Sequence, residues 1–127
     1  MLVDKVIYKE LSYKINGLMF KTHKDLGKYR KEKQYADYFE QLLKNEKMQY
    51  IREFKFIDNK FSQGNIRCIC DFIIEDKIIV EFKAKDHITK EDYYQTMRYL
   101  ATLDLKLAII VNFRQPRIVP KRILNEH

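Results

Sequence analysis

Tyr8, Leu11, Ile15, Leu18, Met19 and Thr22 recur at the three- and four-residue steps of an α-helix with one buried face. The pattern predicts a first helix ending near Leu26, with Gly27 supplying the left-handed residue that closes it. A second helical pattern covers residues 30–47. Tyr35, Phe39, Leu42 and Leu43 form its inner face, and Lys31, Lys33, Lys44 and Glu46 its outer one. The spacing then shortens. Ile51, Phe54 and Phe56 mark a strand over 50–57, and the polar run from Asp58-Asn59-Lys60 to Gly64-Asn65 reads as a connecting loop. Strands follow at 67–74 and 77–85. Thr89, with Asp92 three residues later, forms a capping box that opens a helix over 90–103. Residues 105–113, LKLAIIVNF, read as a buried strand, and the two prolines of the tail RQPRIVPKRI predict an irregular segment. The resulting order is α-α-β-β-β-α-β, a mixed α/β domain built on a small sheet.

Composition narrows the class. At 127 residues, 46% apolar and 34% charged, the chain suits one domain (1–127) with a real core and excludes a disordered protein. Three Gly and two Pro leave little room for linkers. No stretch approaches the roughly 20 apolar residues of a membrane span. The opening MLVDKVIYKELSYK lacks a signal peptide's unbroken apolar region, so a cytoplasmic protein is expected. Lys and Arg number 25 against 18 Asp and Glu, and the net charge of +7 favours an anionic partner, nucleic acid first. Cys68 and Cys70 stand two apart. On a strand that is about 7 Å, too far for an unstrained disulfide, so two reduced core thiols are expected.

One charge pattern breaks the apolar background. Asp71 is followed by nine residues and then Glu81-x-Lys83, within CDFIIEDKIIVEFKA. Glu75-Asp76-Lys77 reads as a hairpin turn. If the turn has three residues, Ile74 faces Ile78, Asp71 faces Glu81, and Lys83 points to the same side as Glu81. A two-residue turn would send the Asp71 carboxylate to the opposite face. Adjacent carboxylates repel unless a cation sits between them, and hard oxygen ligands suit Mg²⁺ or Mn²⁺. A lysine beside such an ion can hold a phosphate or offset charge in a transition state, an arrangement suited to phosphodiester cleavage. A surface hairpin with solvent-exposed ion pairs is the competing reading of the same residues.

Asp71 with Glu81-Phe82-Lys83 resembles the PD-(D/E)XK nuclease superfamily, and the wider chain resembles its GxxExxY branch. THKDLG at 22–27 is similar to that branch's VH-x-x-LG element, and Glu32-x-x-Tyr35 to half of the naming motif. Gln95 with Tyr99-Leu100 resembles its Q-x-x-x-Y-L helix, and residues 110–113 its final strand. Tyr29 stands where the branch has glycine, which puts the approach to the second helix in doubt. The resemblance implies a restriction-endonuclease-like αβββαβ core with an additional N-terminal helix, and a metal-dependent nuclease, with DNA ahead of RNA. It implies Asp71, Glu81 and Glu32 as ligands of Mg²⁺ or Mn²⁺, Lys83 as the catalytic lysine, and Gln95 as a glutamine orienting Lys83 or the substrate. Tyr35 reads either as a helper of the site or as a core residue; His23 reads either as a support behind it or as a helix-end residue.

Lys28, Arg30, Lys31 and Lys33 near the second helix, and Arg114, Arg117, Lys121 and Arg122 in the tail, are candidate backbone contacts to nucleic acid. Each also reads as a solvated charge. The short chain predicts low sequence specificity or a homodimer. The alternative function is a nucleic-acid-binding protein on a nuclease-like fold, inactive or dependent on a partner.

Overall fold

A computed structural model describes residues 6–58 and 64–126. Its elements are α1 (Lys9–Leu26), α2 (Glu32–Asn45), β1 (Tyr50–Asp58), β2 (Ile66–Ile74), β3 (Ile78–Lys83), α3 (Lys90–Leu103), β4 (Leu107–Asn112) and β5 (Lys121–Leu124). The five strands form one sheet in the order β1-β2-β3-β4-β5. β3 and β4 run parallel, and every other pair is antiparallel. This is the restriction-endonuclease-like arrangement expected, with α1 as the extra leading helix. Residues 59–63 of the expected loop, and the first five residues of the leader reading, lie outside the described residues.

The sheet is covered on both sides, which is why its central strands are almost continuously apolar. Ile78, Val80 and Phe82 of β3 and Leu107, Ile109 and Val111 of β4 meet α1 and α2 through Ile15, Met19, Tyr35, Phe39 and Leu43. The alternate residues Ile79, Ala108 and Ile110 meet Tyr99 and Leu100 of α3. Every residue of β4 is buried. Thr89 caps α3 as predicted: its hydroxyl accepts from the Asp92 N–H at 3.1 Å, and Asp92 accepts from the Thr89 N–H at 2.9 Å. Gly27 closes α1 at φ 79, ψ −165. Its φ is positive as expected, but its ψ lies outside the left-handed helical well, in a region that is essentially glycine-only.

The tail departs from its expected irregularity. Lys121–Leu124 forms β5 and pairs antiparallel with β4. A four-residue edge strand with only Ile123 buried offers too few alternations to register as a strand, and Pro120 ahead of it masks the signal further. Arg122 fixes this edge to the first helix. Its guanidinium donates to Ser12 Oγ at 2.6 Å and to the Ile7 carbonyl at 2.7 Å. Arg122→Ala should therefore lower stability by about 2 kcal/mol, the scale of charge-assisted hydrogen bonds lost from a half-buried site. Urea unfolding measures it, and a change below about 0.5 kcal/mol would mean that water replaces both bonds.

Candidate active site

The sheet opens at one point. β2 and β3 are joined by the three-residue turn Glu75–Lys77, with Ile74 opposite Ile78 and the Lys77 N–H bonded to the Ile74 carbonyl at 3.0 Å. That register brings Asp71 and Glu81 to facing positions, but the regular pairing stops one step earlier, at Phe72 and Val80. The two carboxylates take over from the backbone. The Asp71 N–H donates to Glu81 Oε2 at 2.6 Å, and the Phe82 N–H donates to Asp71 Oδ2 at 2.7 Å.

The disturbance reaches β1. Its pairing with β2 skips from Arg52–Phe72 to Phe54–Cys70, and Glu53, across from Asp71, has a left-handed φ of 54. Side chains two apart on a strand normally share a face. Here Cys68 and Cys70 pack on the α3 side, whereas Phe72 and Ile74 pack on the α1–α2 side. The strand therefore rotates at Asp71. Cys68 and Cys70 are free buried thiols, as expected.

Burial sets the electrostatics. It raises the Asp71 pKa; the Phe82 N–H pulls it back, and the negative charge of Glu32 raises it further. Burial first, and the charge of Asp71 second, push Glu81 up to about 8. Cys70 is pushed up to about 12 by burial and by Glu81. Two carboxylates so reluctant to ionise are what a cation would relieve. Each commits one oxygen to the backbone of the strand opposite. Among the described residues, no three His, Cys, Asp or Glu side chains gather closely enough to cage an ion. Mg²⁺ does not require a cage, because it keeps several waters beside one or two carboxylates. The donor set fits a hard divalent cation.

Lys83 lies two residues beyond Glu81 and is mostly buried. Its Nζ is 3.7 Å from Asp92 Oδ1, and the Lys85 ammonium holds the other Asp92 oxygen. Burial would raise the Asp92 pKa, but the bond from Lys85 and the Thr89 N–H overcome it and hold the pKa at about 2. Gln95 sits on α3 three residues after Asp92, half-buried, on the same side of the helix. No hydrogen bond joins it to Asp71, Glu81 or Lys83.

A pocket of about 310 Å³ opens over Asp71 and is lined by Glu32, Lys33, Ala36, Arg52, Glu53 and Phe82. Glu32 is the first residue of α2, and Tyr35 explains how it is held there. The fully buried Tyr35 ring stacks on Phe113 at 4.2 Å. Its hydroxyl donates to the Gly27 carbonyl at 2.5 Å and accepts from the Arg30 N–H at 3.2 Å. The residue thus works from the core, pinning the segment that delivers Glu32. Tyr29, the departure from the family pattern, is 81% exposed and leaves this anchor intact. His23 stacks on the other reach of Phe113, at 6.2 Å, with its Nε2 buried and unbonded. Nothing joins it to the carboxylates.

The basic candidates divide. Lys33 lines the pocket while paired with Asp37 at 2.9 Å, and Lys31 is exposed beside it. Lys28 lies over the Tyr29 ring, and Arg30 Nε reaches the Leu26 carbonyl at 3.4 Å. Arg117 and Lys121 line a second cavity of about 300 Å³ with His87 and Asn112. Arg114 and Arg122 are engaged in the fold itself: Arg114 Nε binds the Lys28 carbonyl at 2.9 Å, and Arg122 holds α1. Three residues at the site escaped the sequence reading. Arg52 bonds Asp37 at 2.7 Å and Glu40 at 2.9 Å while lining the pocket. Glu53 lines it too, but no residue type announces a positive φ. Asp92 showed itself only as a cap.

Comparison with known proteins follows the same lines. The family model described as the PD-(D/E)XK nuclease superfamily matches residues 9–123. The crystal structure of SSO0001 superposes with a TM-score of 0.53 at 17% identity, over 87% of this chain and 65% of that one, so this chain spans just under two thirds of its length. That likeness is one of fold. No curated protein matches the chain. Among the described residues, no helix is long and apolar enough to cross a membrane.

The carboxylate pair predicts a pH signature in chelator-treated protein. Both native pKa values lie above the ordinary 3.8 and 4.5, so between about pH 5 and 8 the native state holds more protons than the unfolded chain. Stability is then greatest near pH 5 and falls as pH rises. Asp92, with its lowered pKa, acts only below this window. Urea unfolding across that range should show the decline, and Glu81→Gln should flatten it. A flat wild-type profile would mean that the pair ionises freely.

Proposed function

Because the chain belongs to the PD-(D/E)XK nuclease superfamily, we propose that it hydrolyses phosphodiester bonds in nucleic acid, DNA in preference to RNA, at the Asp71–Glu81 opening. The observation that carries this reading is the exchange of backbone amides between the two carboxylates, at the one place where β2 and β3 separate. Glu32-x-x-Tyr35 supports a place in the GxxExxY branch, with Tyr35 anchoring and Glu32 facing the pocket.

Asp71 and Glu81 would hold Mg²⁺ or Mn²⁺, with Glu32 completing the acidic set from α2. Such an ion supplies a water of lowered pKa and neutralises phosphate charge. The protein's own residues do the rest. Lys83, drawn from Asp92 toward an incoming phosphate, offsets negative charge beside the reacting group. Asp92 is a positioning residue that holds Lys83 and Lys85 at one edge of the site. Gln95, one turn further along α3, orients Lys83 or the substrate. Arg52 and Lys33 place two cations on the rim of an otherwise acidic pocket, each held by Asp37, and a phosphate could take the place of that carboxylate. The reading without turnover draws support from the pairing of Lys83 with Asp92, which leaves the ammonium occupied.

Incubating purified protein with single-stranded and duplex DNA, and with RNA, in Mg²⁺ or Mn²⁺ decides between the two. Cleavage should be lost on chelation and fall about a hundredfold or more in Asp71→Ala, Glu81→Ala and Lys83→Ala. Products that persist in the last two variants would belong to a contaminant. Binding that survives Asp71→Ala, with no product under either metal, would favour the silent binder.

A further inference from the structure

β2 is paired with β3 only as far as Phe72, so residues 54–58 and 66–70 stand beyond the three-strand overlap as a two-stranded ribbon. Its sides differ. Phe54, Phe56, Cys68 and Cys70 pack toward α3, where Phe56 meets the edge of Tyr99 at 5.0 Å. Lys55, Ile57, Arg67 and Ile69 occupy the other side, all exposed, with Lys55 opposite Ile69 and Ile57 opposite Arg67. The two isoleucines are 46% and 48% exposed, and the four side chains border a groove of about 480 Å³.

Two observations join on this face. Lys55 and Arg67, like several other surface cations, have no ion-pair partner among the described residues, whereas the cations at the pocket, Lys33, Arg52, Lys83 and Lys85, are all paired. The face also leads somewhere. Arg67, Ile69 and Asp71, and beside them Ile57, Lys55 and Glu53, follow at two-residue steps, and both rows end on residues that line the acidic pocket.

We propose that this side of the ribbon holds a single-stranded stretch of nucleic acid on its way to the Asp71–Glu81 opening. Lys55 and Arg67 bind backbone phosphates, and Ile57 and Ile69 lie against unstacked bases. The two free cations complement a polyanion. The isoleucines between them decide for a single strand, because a duplex keeps its bases stacked and would present such a face with phosphate and sugar. The inference rests on the nuclease reading of the pocket for its direction, and its test is separable from that reading.

Fluorescence anisotropy with a labelled mixed-sequence single-stranded DNA of about 20 nucleotides, in chelator, measures binding without turnover. Lys55→Ala/Arg67→Ala should bind about tenfold more weakly, with the log–log salt slope reduced by about 1.4 for two lost phosphate contacts. Ile57→Ser/Ile69→Ser should weaken single-strand binding severalfold, keep the salt slope and leave duplex binding unchanged. Unchanged circular dichroism and melting temperature would show that these surface variants fold. Wild-type affinity and slope in the Lys55/Arg67 variant, or no binding by the wild type, overturns the proposal. An Ile57/Ile69 variant that binds single strands like the wild type, or loses duplex binding equally, overturns the single-strand assignment. Single-strand binding lost as expected, with no cleavage by the wild type under any divalent metal, upholds the ribbon and removes the cleavage centre. Cleavage abolished by Asp71→Ala, with both ribbon variants binding normally, removes the ribbon alone.

Discussion

Two carboxyl groups set into a nearly apolar sheet organise this molecule. Buried charges without partners are unstable, and Asp71 and Glu81 find partners in the backbone amides of the strand opposite. That choice displaces the regular pairing between β2 and β3. The strands part, β2 turns about its axis, and β1 follows with a left-handed residue at Glu53. The opening, the pocket beside it and the two-stranded ribbon beyond it are consequences of one local substitution of side chain for backbone.

The neighbouring helices are arranged around the same spot by different means. α2 brings Glu32 through a core tyrosine whose hydroxyl grips the preceding loop, so the position of an exposed acid is set by a buried ring. α3 brings Asp92, which serves its own helix as a cap and serves β3 as a counter-ion for Lys83. In both cases the contact that builds the fold also positions a charged group beside the opening. This economy is what permits a short chain to place acidic and basic groups from five elements around one opening.

Much of this was legible in the sequence, and the failures have physical causes. Helical and strand periods located seven of the eight elements, and the sequence left two registers for Asp71 and Glu81, of which the structure adopts the one with the three-residue turn that makes them face. β5 escaped because four residues with one buried side chain carry almost no period. Arg122 looked like a free cation because nothing in a sequence shows that Ser12 and the Ile7 carbonyl lie across from it. Glu53 and Arg52 drew no notice in the sequence, since neither residue type signals a break in the pairing of a strand. The rotation at Asp71 arises from a contact between side chain and backbone, and that is a tertiary event with no local signature.

The short turn and the long ribbon respond differently to changes in chain length. The facing of Asp71 and Glu81 is fixed by the three residues 75–77, and removal of one of them would slide the two strands out of step and invert one carboxylate. The connection between β1 and β2 has no such hold on the pair, since it joins the ribbon at the end away from β3, before β2 meets that strand. Insertions and deletions there could accumulate without moving the acids. A chain of this design can vary along the ribbon while Asp71 and Glu81 stay in register.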